Sequence, residues 1–303
     1  MTKSTKWFLG ILAVLVLFAL GFTLFISSFI SSATDRTETV TSGSGDRIAV
    51  VDLRGEITSS DEVVRQLKKY RGMGGVKAIL LHIDSPGGGV VASQEMYEEV
   101  RKTRDGGKPV IVSMGSLAAS GGYYVACGAS RLVANRGTLT GSIGVISEFL
   151  QVKDALAKLG ISEKTIKAGK LKDAGSPTRD MTGDDQAYFQ NLMDEVHRQF
   201  IEVVARERRM SPEKVRALAD GRVFTGEQAV NLGLVDTLGT FEDAVRIAAG
   251  IAGINGEPSI VRERRRQGWW DMMFGGAGET LRDIKQELLD RPALSYRFAA
   301  PPY

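Results

Sequence analysis

Short apolar runs alternating with helical patterns constrain this chain more than any other feature. IAVVDL at 48–53, VKAILLHI at 76–83, PVIVSM at 109–114 and RLVA at 131–134 are rich in Val and Ile. Runs of this length without polar alternation are strands buried on both faces. Between them, residues 62–70 and 91–103 repeat apolar positions every three to four residues, as amphipathic helices do. The alternation implies an α/β fold, a sheet covered by helices. Further on, a helix is predicted from Gly183 to about Arg209. Thr182 is placed to cap it, Asp184 and Asp185 fall in its first turn, and Phe189, Leu192, Val196, Phe200, Val203 and Val204 form one stripe. Ser211 followed by Pro212 predicts the start of another.

Ahead of this region, Trp7 to Ile30 carries no charge. As a helix it is about 36 Å long, enough for a hydrocarbon core of about 30 Å. The run is too long for the apolar part of a cleaved signal and ends in Ser27, Ser28, Ser31 and Ser32, which predicts an uncleaved anchor over residues 1–30. Lys3 and Lys6 precede it, so the N-terminus is expected in the cytoplasm and everything after Ile30 on the extracytoplasmic side. Residues 31–46, SSATDRTETVTSGSGD, have the composition of a flexible linker. The folded domain is then expected over 47–258, with a C-terminal extension over 259–303. In that extension RERRR at 262–266 precedes Trp269 and Trp270; an exposed charge run with a packing hairpin is favoured over a membrane-surface patch. The net charge is +3, of which Lys3 and Lys6 supply two, so no basic face marks a nucleic-acid partner. The single cysteine, Cys127, cannot make an intrachain disulfide or a cysteine-based zinc site, and reads as a small core residue.

Two glycine-rich turns carry the chemistry. Asp84-Ser85-Pro86-Gly87-Gly88-Gly89 follows one predicted strand and precedes a helix. Gly115-Ser116-Leu117-Ala118-Ala119-Ser120-Gly121-Gly122 follows another. Small residues around Ser120 let a second backbone approach its hydroxyl. A serine that opens a helix also brings N–H groups to where negative charge develops. Each turn has a bland alternative, since Pro-Gly-Gly corners and serine caps are common in α/β folds. Phosphate binding is the other option, but neither GxGxxG nor the phosphate-loop pattern is present in these turns.

A serine hydroxyl needs a base. The two histidines are His82, on a strand and read as structural, and His197, in mid-helix. Lysine is the other option. KTIKAGKLKD at 164–173, expected as a strand followed by a turn, offers Lys164, Lys167, Lys170 and Lys172, and chemistry alone does not choose among them. A lysine with a reference pKa of about 10.4 must come down by roughly three units, about 4 to 5 kcal/mol, to act as a base near neutrality. It must therefore be desolvated, by packing or by a neighbouring subunit.

Taken together, HIDSPGGG at 82–89, MGSLAASGGYYVA at 114–126, TLTGSIGVI at 138–146, AGKLKDAGSPTRDMT at 168–182 and DGRVFTGEQAVNLGLVDTLG at 220–239 resemble the SppA-type signal peptide peptidases, in that family's order. The resemblance covers about 48–250 and implies the ClpP/crotonase-like fold in its short, single-repeat form. It implies Ser120 as nucleophile, Lys172 as general base, Ser142 as the residue orienting the lysine, and the amides of Gly87 and Gly121 as oxyanion hole. Asp173, Arg222 and Thr225 are read as structural. The reaction implied is endoproteolysis through an acyl-enzyme, without metal or cofactor. The substrates implied are remnant signal peptides and other extended apolar peptides near the membrane, and the assembly is a ring-like homo-oligomer with catalytic groups meeting at subunit interfaces. Two rivals share parts of this picture. A crotonase-like acyl-CoA enzyme has the glycine-built oxyanion hole but no use for a Ser-Lys dyad, and a non-catalytic membrane scaffold tolerates loss of Ser120.

Overall fold

In a computed structural model of the chain, the described residues are Trp7, 17–23, 36–40, 46–265 and 295–298, with only the backbone described at 36–40 and 264–265. Two units separate: residues 1–40 with 261–289, and residues 41–260 with 290–303. In the first, β1 (Arg36–Val40) pairs antiparallel with the 261–265 part of β10 (Ser259–Arg265). Residues 36–40 thus form a strand inside the segment whose composition reads as linker. Thr37, Thr39 and Val40 suit a strand once a partner is present, and linker composition does not reveal the partner. Of the apolar segment 7–30 expected to form the anchor, the described residues are Trp7 and 17–23 alone, and the rest lies outside them. Residues 17–23 are helical, and among the described residues no helix is long and apolar enough to cross a membrane.

The second unit is built on a sheet ordered β2 (Arg47–Arg54), β3 (Val76–Ser85), β5 (Val110–Ala119), β6 (Arg131–Ala134) and β9 (Thr237–Leu238), each pair parallel. Parallel neighbours need crossovers. Helices α1 (Asp61–Gly72), α2 (Val90–Asp105) and α3 (Gly121–Cys127) lie in those connections. Successive strand residues face opposite sides. Ile48, Val50, Ala78, Leu80, Ile111 and Val133 meet Ala244, Val245 and Ala248 of the helix at Phe241–Ile251. The alternate residues Ala49, Val51, Ile79, Leu81, Val110 and Val112 are equally buried, as two-faced strands require.

The remaining helices are α4 (Lys153–Lys158), α5 (Gly183–Arg208), α6 (Pro212–Arg216), α7 (Gly226–Leu232) and α8, the Phe241–Ile251 helix. α5 starts where the sequence places it, with Thr182 accepting from the Asp185 amide at 3.2 Å while the Asp185 carboxylate accepts from the Thr182 amide at 3.0 Å. Ser211 caps α6, with Pro212 in its first turn. KTIKAGKLKD departs from expectation: it holds a turn but no strand, and 161–172 are exposed throughout. Among the described residues no strand lies beside it to pair with.

Candidate active site

Three short strands bring the motifs together. β5 continues past the sheet into Leu117–Ala119, which pairs in parallel with β7 (Leu139–Gly141), and β7 pairs antiparallel with β8 (Val223–Thr225). The GSLAASGG, TLTGSIG and DGRVFTG segments are therefore adjacent strands ending at one corner. Thr138 and Thr140 fasten this corner, their hydroxyls donating to the carbonyls of Gly115 and Ala118, each at 2.7 Å. The fourth motif joins from β3: the Leu117 amide donates to Asp84 Oδ1 at 3.0 Å, and Ser85 pairs with Ala118.

Ser120 stands where β5 turns into α3, with φ 53° and ψ −115°. That conformation is unfavourable for any residue with a Cβ, by about 1–3 kcal/mol. It is fixed by the Ser120 amide donating to the Gly141 carbonyl at 2.8 Å and by the Ser120 carbonyl accepting from the Tyr124 amide at 2.8 Å. The side chain is 1% exposed, and its Oγ has no hydrogen-bond partner. A buried hydroxyl without a partner costs stability, and such groups concentrate where a reaction or a missing partner explains them. Ser142 is also in the left-handed region, at φ 50°, its amide donating to the Arg222 carbonyl at 2.9 Å. Apart from Ser120 and Ser142, the described non-glycine residues with positive φ comprise Arg209 alone.

The glycine corner faces Ser120. β4 (Gly87–Gly89) lies between Ile57, whose amide donates to the Gly87 carbonyl at 2.8 Å, and β11 (Ser295–Arg297), with which it pairs antiparallel. A Cβ built on Gly87, at φ 98°, would stand 2.6 Å from the Gly121 nitrogen, so the two turns meet there backbone to backbone. Gly121 opens α3, so its N–H has no acceptor within the helix. The Gly87 amide donates to Ser85 Oγ at 3.1 Å. The Phe298 amide donates to the Pro86 carbonyl at 2.8 Å, which makes Tyr296 and Gly88, two residues along, the next hydrogen-bonded pair of the ladder. Gly88 thus turns its amide toward β11, a feature that GGG in a sequence does not disclose.

The lysines sort themselves by partner. Lys167 pairs with Asp173 and Lys170 with Asp184. The Asp184 partner raises the Lys170 pKa, the wrong direction for a base. Lys172 is exposed and makes no hydrogen bond to Ser120, whose Oγ is unpartnered. Within one chain the structure brings together Ser120, Ser142, Gly87 and Gly121 but does not join Lys172 to them. Asp173 is a clamp: Arg179 donates to both of its carboxylate oxygens at 3.0 Å and reaches Asp185 at 2.5 Å, tying the lysine turn to the start of α5. His82 packs edge-on against Phe241, ring centroids 5.5 Å apart, as a structural residue does. Burial pushes the Cys127 thiol up to about 12, so it stays a protonated core residue.

Two family models match the chain: Peptidase family S49 over residues 102–255 and Clp protease over residues 36–146. A putative protease of Synechocystis is 44% identical over 216 residues, covering 69% of this chain and 76% of that protein. The chain belongs to peptidase family S49. A putative signal peptide peptidase SppA of Enterococcus faecium is 41% identical over 59% of this chain and 52% of its own length. Protease 4 of Salmonella typhi is 35% identical over 83% of this chain and 42% of its own. The chain thus spans about half the length of these last two relatives. Family and relatives make it a serine protease of the SppA type with a mixed α/β, ClpP-like fold, and set aside the acyl-CoA and scaffold readings.

Proposed function

We propose that this S49 peptidase is a membrane-anchored endopeptidase that cleaves extended apolar peptides, remnant signal peptides among them, on the extracytoplasmic side. Ser120 is the nucleophile, and the observation that carries this is its buried, unpartnered Oγ held in a strained turn at the start of α3 beside the glycine corner. Lys172 is the base. Neutral Lys172 takes the Ser120 proton as the hydroxyl attacks the peptide carbonyl, gives it to the leaving amine, and then activates the water that cleaves the acyl-enzyme. Ser142 orients the amine. The amides of Gly121 and Gly88 receive the oxyanion, Gly88 in place of the expected Gly87, whose amide donates to Ser85 Oγ.

Lys172 comes from a neighbouring copy of the chain. The segment that leads into its turn displays apolar side chains to solvent: Leu159, at the end of α4, is 73% exposed and Ile166 94%. A second subunit seated there buries these groups and supplies the desolvation that a lysine base requires. Such a contact is heterologous and closes as a ring. The anchor proposed over residues 1–30 then holds the ring at the membrane, near its substrates. The direct test is labelling of the protein with a serine-reactive fluorophosphonate. Wild type is expected to label and both Ser120→Ala and Lys172→Ala to fail; undiminished labelling of Ser120→Ala means that the nucleophile is elsewhere.

A further inference from the structure

The two oxyanion donors proposed above belong to different turns, Gly88 in the corner after β3 and Gly121 at the start of α3, and one buried side chain touches both turns. Ser85 is fully buried. Its hydroxyl donates to the Gly55 carbonyl at 2.6 Å and accepts from the Gly87 amide at 3.1 Å. The one hydroxyl proton is committed to Gly55, so a lone pair faces Gly87, and a hydroxyl that donates is the better acceptor for it. Residues 55–57 close the corner as a strap. The Gly55 amide donates to the Asp84 carbonyl at 3.0 Å, the Ile57 amide to the Gly87 carbonyl at 2.8 Å, and the Gly89 amide to the Ile57 carbonyl at 2.7 Å. The polar groups of Gly87 and the Gly89 amide are thus spent on Ser85 and the strap. Gly88, between them, is turned the other way, as the alternation of an extended chain requires.

The backbone of Ser85 reaches the second turn. It pairs in register with Ala118 of β5, two residues before Ser120. A Cβ built on Gly122 would stand 3.2 Å from the Ser85 carbonyl oxygen and 3.5 Å from the Ser85 Cβ, so the first turn of α3 rests on the residue that holds Gly87.

We propose that Ser85 is a positioning residue for the oxyanion hole: by engaging the Gly87 amide it leaves Gly88 as the donor aimed at the reacting carbonyl and fixes the spacing of Gly88 from Gly121. The inference rests on the peptidase reading with Ser120 as nucleophile. Such donors lower the barrier only when they are held in place before charge develops. Without the hydroxyl, the Gly87 amide and the Gly55 carbonyl both lose a buried partner. A turn of the Gly87 peptide that recovers one of them carries Gly88 out of line.

The test uses the full chain, an apolar peptide substrate and a peptide boronate, which forms a tetrahedral adduct on a serine. Ser85→Ala removes the hydrogen bonds. Ser85→Cys keeps the shape with a weak donor and acceptor, so it reports even where the alanine variant does not fold. Active sites are counted by fluorophosphonate labelling, because a merely structural role changes their number and leaves each remaining site as it was. Outright removal of an oxyanion donor costs about 10²–10³ in kcat, and misplacing one is expected to cost less. Per labelled site, kcat is expected to fall at least about tenfold in Ser85→Ala and by a smaller factor in Ser85→Cys, at unchanged KM, with boronate affinity falling in step with kcat/KM. Unchanged kcat per site in the variants that fold overturns the proposal. So does a fall in kcat with boronate affinity retained, or a rise in KM alone. Wild type that neither labels nor cuts the peptide overturns the underlying peptidase reading instead.

Discussion

Ser120 combines two costs that a residue chosen for stability would avoid, a left-handed backbone and a buried hydroxyl with no partner. The backbone cost is separable from the hydroxyl by comparing two inactive variants. Both Ser120→Gly and Ser120→Ala delete the hydroxyl, but only glycine tolerates φ 53°. Relief of strain outweighs the extra chain entropy of glycine, and we expect Ser120→Gly to be more stable than Ser120→Ala by about 1 kcal/mol in urea unfolding. An alanine variant as stable as the glycine one contradicts strain at this turn. Ser120, Gly87 and Gly121 are legible in sequence because each depends on its immediate neighbours: a strand, a tight turn and a helix start. Which lysine serves Ser120 is not legible from chemistry alone, since four lie within nine residues at 164–172 and the choice depends on partners. The structure narrows it by pairing Lys167 and Lys170 with carboxylates.

At the scale of elements, the turn that carries Lys172 is held to α5 by one arginine between two aspartates. The Arg179 and Lys167 partners hold the Asp173 carboxyl down at about 2. Its unfolded value is about 3.9, so the folded state gains from Asp173 above that pH, and the gain disappears as pH falls through about 2. Wild type is therefore expected to exceed Asp173→Asn in thermal midpoint at pH 6 and to converge with it by about pH 2; a constant gap across that range contradicts the clamp. Strands β2, β3, β5 and β6 and helices α1, α2, α5 and α6 lie where periodicity and capping residues put them. Local chemistry sets these, as Thr182 and Pro212 illustrate. Elements made by long-range pairing are not visible in the same way. β1 and β11 are short, and each exists as a strand because of a partner more than two hundred residues away. Conversely, among the described residues nothing pairs with the segment near Lys164 where a strand is expected.

For the whole molecule the central claim is that the active site is shared between copies. Ser120, Ser142 and the glycine corner assemble inside one chain, while Lys172 stands exposed in a segment that also displays Ile166 to solvent. The proposed ring would supply both the base and the cover for that surface. Subunit mixing tests this most directly. Ser120→Ala and Lys172→Ala proteins are each expected to be inactive, and co-assembled in equal amounts they should regain about a quarter of wild-type peptidase activity, because one interface in four pairs an intact serine with an intact lysine. A mixture as inert as its two components contradicts the shared site.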